Sequence, residues 1–245
     1  MKFKSIKKTA ILVILFFLPV LFLLFLYPSK HNYNTLDIVK NNIFEVSAFS
    51  TMKGETIGLE NNITVLGFFG LEPIEKATEA LNLKELIYDK FKGFKRFQIL
   101  IIVPNGVEEQ VKLLKYELLK YDELKYWHFV YGERQDIIEV FNSLKVKENL
   151  DTNIATNHVF IIDKERNQRG RIDDRTEREV EDEKLVYEMN SYDCIEVAEL
   201  KNKMSEDIRI LFTEYRQKRK GTFNSSSRRV NAIKAHDDET NINKF

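Results

Sequence analysis

The sequence predicts an α/β fold, a mixed sheet flanked by helices, preceded by one membrane-spanning segment. Three observations carry this. Residues 63–69 and 97–103 are two runs that are apolar but for Thr64 and Gln98 and rich in β-branched and aromatic side chains, as strands covered on both faces are. Each run is followed by a segment whose apolar residues recur at helical spacing. Residues 10–27 form an uncharged stretch made almost wholly of Leu, Ile, Val and Phe.

That stretch comes first in the chain. Eighteen residues span about 27 Å as a helix, which suffices to cross a bilayer core. Lys2, Lys4, Lys7 and Lys8 precede it and favour a cytoplasmic residence for residues 1–9. Everything after the anchor is then expected on the outer face of an inner membrane, in the periplasm. No small-x-small cleavage site follows, since Tyr27-Pro28-Ser29-Lys30 offers none, so an uncleaved anchor is expected. Residues 28–41 are polar and read as a linker.

From residue 42 the folded part begins. Ile43-Phe44-Glu45-Val46 and Thr56-Ile57-Gly58-Leu59 alternate as short strands do, across the turn-like Lys53-Gly54-Glu55. After the buried run 63–69 and Gly70, residues 73–91 carry Ala77, Leu81 and Leu86 on one helical face. The run 97–103 closes on Pro104-Asn105-Gly106, and residues 107–121 are helical again, with Val111, Leu114 and Leu118 on one side. A short strand at 127–130 and a helix at 135–144 follow. Residues 158–163 and 169–172 flank a charged turn and read as a hairpin, and 199–219 as a closing helix with Leu200, Met204, Ile208, Leu211 and Tyr215 at helical spacing. A strand-helix-strand half followed by a hairpin and a final helix is the thioredoxin arrangement, assigned here to residues 42–217. Residues 218–245 are rich in Ser, Asn, Arg and Lys and read as a basic disordered tail.

Composition excludes several classes. One cysteine among 245 residues makes no intramolecular disulfide and no thiolate zinc cluster. The 38 basic and 38 acidic residues balance, so there is no overall pull toward nucleic acid, and none is expected as a partner. His31, His128 and His236 are scattered without zinc spacing. Asn105-Gly106 is a turn rather than a phosphate loop, and Glu181-Asp182-Glu183 reads as a solvated acidic run within the mixed charges of residues 163–184. Arg216, Lys218, Arg219, Lys220, Arg228, Arg229 and Lys234 read as a solubilising tail, with attraction to anionic lipid or an acidic partner as the second reading.

Several phrases, in order, resemble the SCO/SenC family of membrane-anchored thioredoxin-like proteins: Val65-Leu66-Gly67-Phe68-Phe69 followed by Pro73, then Trp127-His128-Phe129-Val130-Tyr131-Gly132, then Val159-Phe160-Ile161-Ile162-Asp163-Lys164 leading into Arg169-Gly170. The resemblance implies a Cys-x-x-x-Cys pair after the first buried strand and a histidine before the hairpin. In the family these bind copper or exchange disulfides in cytochrome c oxidase assembly. Soft thiolates with an imidazole select copper, and a helix N-terminus acidifies a thiol. Here the two cysteine positions fall on Glu72 and Lys76, and the histidine position falls near Ala155.

The expectation is therefore a degenerate member: no catalytic residue, no cofactor, and partner binding as the function. The partners are the bilayer, through residues 10–27, and a protein at the outer face of the inner membrane. Glu72 and Lys76, four apart, are expected to form a surface ion pair in place of the disulfide. His158 is expected to be an ordinary strand-entry residue rather than a metal ligand, and Cys194 a partly buried structural thiol. The competing reading is a copper-binding or thiol-redox protein using Glu72, His158 and Cys194.

Overall fold

The computed structural model describes residues 11–22, 35–119 and 124–221. The chain divides into two compact units, Met1–Asn34 and the remainder from Thr35. In the first, residues 11–22 form a helix whose side chains are all exposed. Among the described residues no helix is long and apolar enough to cross a membrane. Residues 10 and 23–27 of the expected span lie outside the described ones, as do 1–9, His31, His236 and residues 222–245.

The second unit holds the sheet. Its strands are β1 (Asp37–Lys40), β2 (Ile63–Phe68), β3 (Phe97–Pro104), β4 (Trp127–Gly132), β5 (His158–Ile162), β6 (Gln168–Gly170) and the short β7 (Tyr192–Asp193). They lie in the order β1-β6-β5-β2-β3-β4, with β7 beside β5. β2, β3 and β4 are mutually parallel, while β5 runs antiparallel to β2 and to β6. A parallel strand-helix-strand half joined to an antiparallel hairpin is the thioredoxin-like arrangement that the sequence predicted.

Five helical segments flank this sheet. The first, α1, is continuous from a 3-10 turn (Pro73–Lys76) through Ala77–Leu83, a π turn (Lys84–Tyr88) and Asp89–Phe91. Then come α2 (Glu108–Leu119), α3 (Arg134–Ser143), the short α4 (Glu177–Glu181), and α5, a π turn (Glu199–Met204) that runs on as Ser205–Arg219. Lys218 and Arg219 lie in the last turn of α5, as the helical spacing of residues 199–219 predicted, and not in the tail counted from residue 218.

Two apolar clusters sandwich the sheet. On one face Ala80, Leu83 and Ile87 of α1, Val111 and Leu114 of α2, and Leu200, Ile208 and Leu211 of α5 pack against Val65, Ile99 and Ile161. On the other, Ile137 and Phe141 of α3 join Ile43, Val46, Phe49 and Leu59 against Leu66, Leu100 and Phe160. Ile43, Val46 and Leu59 are therefore buried while Phe44, Thr56 and Gly58 are exposed, and neither segment is a strand. The Glu45 carboxylate explains this. It accepts the backbone N–H groups of Val46 (3.0 Å), Leu59 (2.7 Å) and Glu60 (3.3 Å), so those amides are satisfied without a ladder. Alternation reports burial on one side, which an irregular cover satisfies as well as a strand does. The cover is closely fitted: a Cβ on Gly132 would lie 2.3 Å from the Phe49 ring.

The segment expected as linker instead contributes β1, which pairs with β6. What draws it in is a buried ion triad. Arg169 donates to Asp163 (3.0 Å), to Glu214 of α5 (2.6 Å) and to the Leu36 carbonyl (2.8 Å). All three charged side chains are 3% exposed or less. Burial opposes the Arg169 charge, but Glu214 and Asp163 outweigh it and raise its pKa above the ordinary arginine value. A second network ties β7 to α5, with Arg171 and Tyr192 both donating to Asp207.

Replacing Arg169 by Met should strand two buried carboxylates and cost about 3–5 kcal/mol in urea unfolding. A loss below about 1 kcal/mol would show that the triad does not organise this edge.

Candidate functional site

Where β2 ends, the chain turns sharply at Gly70 and enters α1. Gly70 has φ +63°, and a Cβ there would lie 2.1 Å from the Asn153 carbonyl oxygen. Only glycine fits, because both the left-handed backbone and the close approach exclude a side chain. The segment it meets is the one leading into β5. Phe69 bridges to Ala155, Leu71 N–H donates to the Asn153 carbonyl (2.9 Å), and Thr156 N–H donates to the Phe68 carbonyl (3.0 Å). Topology explains the meeting, since β2 and β5 are antiparallel neighbours and the exit of one faces the entry of the other.

The pre-β5 segment is tightly folded. Asp151 accepts the Ala155 amide on its side chain (2.8 Å), and its backbone N–H donates to the Ala155 carbonyl (3.0 Å). Between them Ile154 sits at φ +53° with its side chain 3% exposed. A β-branched residue in the left-handed region costs about 1–2 kcal/mol, which burial of the isoleucine offsets.

Together these segments enclose a cleft of about 140 Å³ lined by Phe69, Glu72, Glu75, Lys76, Asp151, Asn153 and Ala155. The three positions that the family resemblance assigns to its two cysteines and its histidine, Glu72, Lys76 and Ala155, thus line one cleft. They do not interact as expected, however. Glu72 and Lys76 form no ion pair. The Glu72 carboxylate accepts from the Asn153 side chain (2.9 Å). Lys76 donates to Glu79 (3.2 Å) and to the Asn157 side chain. The reason is reach across the chain crossing: Asn153 and Asn157 stand opposite the first turn of α1 and offer each group a partner that is neutral and held in place. Glu79, Asn153 and Asn157 were missed by sequence reasoning. The i,i+3 spacing of Lys76 and Glu79 was the one signal available for any of them.

His158 is not part of this constellation. Its Nδ1 lies 3.3 Å from the Ser191 hydroxyl and its Nε2 3.9 Å from Glu148, beside a small depression lined by Thr156 and Phe160. It shares the strand parity of Phe160, whose side chain faces the second cluster, while Val159 faces the first. Cys194 is fully buried rather than partly so. Its N–H donates to the Asn157 carbonyl (2.9 Å), its own carbonyl accepts from Asn82 (3.0 Å), and burial, reinforced by Asp193 and Glu79, pushes its thiol pKa well up. The sulfur is therefore a protonated core group.

What the cleft offers chemically is hard oxygen donors and one ammonium. The soft donors that copper selects are not supplied at the three family positions. Among the described residues no group of three or more His, Cys, Asp or Glu side chains is placed to hold a metal ion.

No family model matches the chain, and no curated protein does. Solved structures do. One to which it is similar is BsSco, a member of the Sco family of cytochrome c oxidase assembly proteins, at 12% identity and a TM-score of 0.47 over 72% of this chain and 96% of that one. Another is a thiol:disulfide interchange protein from Bacteroides sp., at 18% identity and a TM-score of 0.40 over 54% and 79% of the two chains. A third is a peroxiredoxin-like protein from Aquifex aeolicus, at 15% identity and a TM-score of 0.36 over 56% and 75%. The fold is thioredoxin-like. That statement stands on the strand order and register given above.

Gly70→Ala should cost about 2–4 kcal/mol, since it combines a left-handed alanine with a backbone overlap. Hydrogen exchange should quicken at the Leu71 and Thr156 amides, which cross the cleft wall. Unchanged exchange there would mean that the wall does not depend on this glycine.

Proposed function

We propose that this chain is a membrane-tethered thioredoxin-like domain that binds a protein partner at its cleft and does no thiol or copper chemistry of its own. The observation that carries the reading is the set of side chains in the cleft. Glu72, Lys76 and Ala155 stand where the resemblance places two thiolates and an imidazole, and both charged groups are engaged by fixed protein partners. The one thiol of the chain, Cys194, lies in the core, protonated and without access. A carboxylate bound to an asparagine cannot exchange disulfides. It can present a polar surface of defined shape to another protein, rimmed by the exposed Leu71 and Glu75.

The tether rests on the uncharged run 10–27 behind four lysines, of which residues 11–22 form a helix with exposed apolar side chains. Orientation follows from those lysines and puts the cleft outside the cytoplasm. A link to respiratory-oxidase assembly comes from the Sco-type likeness and belongs to the same proposal.

Two measurements on the detergent-solubilised full chain test the chemistry. Anaerobic Cu(I) titration against a competing chelator should show no stoichiometric binding, whereas tight binding lost in His158→Ala would overturn the reading. Cys194 should resist a disulfide reagent until denaturant is added. Rapid reaction in the folded state, with turnover of a model disulfide, would restore a redox role.

A further inference from the structure

The end of the sheet opposite the cleft carries a different surface. There the turn between α1 and β3 presents Phe94, 40% exposed, followed by exposed Lys95 and Arg96. Phe94 stacks on Phe212 of α5 with ring centroids 4.3 Å apart, and Phe212 in turn meets Phe91 and Phe97 of the core. Phe94 is thus a projecting ring on a rigid base rather than a loose side chain. α5 extends the surface. Arg209, Phe212, Arg216 and Arg219 recur at three- and four-residue spacing along one side, and the three arginines are exposed. From the hairpin, Lys164 lies over the Tyr215 ring at 4.7 Å.

These cations crowd one another. Burial, together with the Arg219 and Arg96 guanidinium groups, pulls the Lys164 ammonium below its ordinary pKa against the opposing pull of Glu165. Burial and the neighbouring Arg209 and Lys201 do the same to Lys90. Acids stand among them: Glu165 accepts from the Tyr215 hydroxyl, Glu214 is buried beside Arg169 and pairs with the exposed Lys218, Asp89 pairs with Lys92, and Glu60 and Glu206 are exposed. An exposed aromatic ring set among arginine and lysine is the pairing that suits a membrane interface, where the ring enters the headgroup layer and the cations meet lipid phosphate.

We propose that the face formed by Phe94, Arg96, Lys164, Arg209, Arg216 and Arg219 docks on an anionic lipid surface. Charge complementarity selects the occupant, and the tether favours it. The chain enters the domain at Thr35, and the Leu36 carbonyl is bonded to Arg169, which also holds Glu214 one residue before Tyr215. A bilayer reached through residues 10–27 would be held at high local concentration for the folded unit as a whole. In that respect the inference rests on the tether proposed above.

The test uses the full chain carrying Phe94→Trp, with the buried Trp127 as a constant background. It is reconstituted into vesicles of phosphatidylcholine alone or with phosphatidylglycerol, each with brominated acyl chains. Quenching and a blue shift are expected in the anionic vesicles only, falling as salt is raised. Each cation near the surface is worth about fivefold in partitioning, so Arg96→Gln/Arg209→Gln/Arg216→Gln should lower the docked-to-undocked ratio about 100-fold and abolish quenching. Equal quenching in neutral vesicles, or quenching unmoved by the triple change, overturns the proposal, as does its absence in a chain whose far-ultraviolet spectrum is native. Competition by soluble polyglutamate in place of lipid quenching would assign the face to an acidic protein and overturn it likewise. Vesicle flotation in high salt reads the tether separately: a chain that floats without quenching fails only the docking proposal. One that quenches at low salt but does not float in high salt fails only the tether.

Discussion

The Arg169 guanidinium is the point on which the architecture turns. It sits in the middle of the hairpin's second strand and ties the adjoining β5–β6 turn, through Asp163, to two elements remote in sequence: the chain entry through Leu36 and the closing helix through Glu214. Asp163 is itself committed to the turn, accepting the backbone N–H groups of Glu165 (3.0 Å) and Asn167 (2.8 Å). A buried charge with partial satisfaction is costly. The geometry of this edge is therefore set by the need to give one arginine its partners. β1 is only four residues long and packs little apolar surface, so its place beside β6 depends on this polar anchoring as much as on its ladder.

Much of this could be read from the chain. The runs 63–69 and 97–103 became β2 and β3, buried at every position, because apolar side chains on both faces fit only an interior strand. The helices at Pro73 and Glu199 were visible in their spacing, although the π turns inside them were not. The failures share a cause. Asp37–Lys40 offers only Ile38 and Val39 within a largely polar stretch, and its place as a strand comes from Arg169 and from pairing with β6, both more than a hundred residues away. Residues 43–46 alternate, yet a carboxylate staple at Glu45 replaced the expected ladder. Tertiary hydrogen bonds decided both cases, and no local pattern encodes them.

The candidate site was legible in position and illegible in pairing. Counting from Phe68-Phe69 and Pro73 located Glu72 and Lys76, and counting from the hairpin located Ala155; the antiparallel meeting of β2 and β5 brings all three to one cleft. An ion pair four residues apart was the natural local inference, but the chain crossing at Gly70 supplies Asn153 and Asn157 at shorter range. A thiol pair at such a crossing needs little polar support, whereas a carboxylate and an ammonium need hydrogen bonds from the facing segment, and two asparagines in the seven residues before β5 provide them. The same Asn157 carries the amide of Cys194 on its carbonyl, so the charged rim and the buried thiol are coupled through one residue.

The two ends of the sheet are chemically unlike, and the strand directions fix which is which. β2 and β3 run parallel, so the exit of β2 at Phe69 and the entry of β3 after Arg96 lie at opposite ends; β5, running the other way, enters at Ala155 beside the first and leaves at Lys164 beside the second. One end therefore gathers Glu72, Glu75 and Asp151 around Lys76, and the other Arg96, Lys164 and Arg219 with Glu60 and Glu165. The even count of acids and bases in the whole chain conceals this division. Strand direction thus separates the Glu72 cleft from the Phe94 face, so the membrane and the protein partner proposed above would meet opposite ends of one sheet.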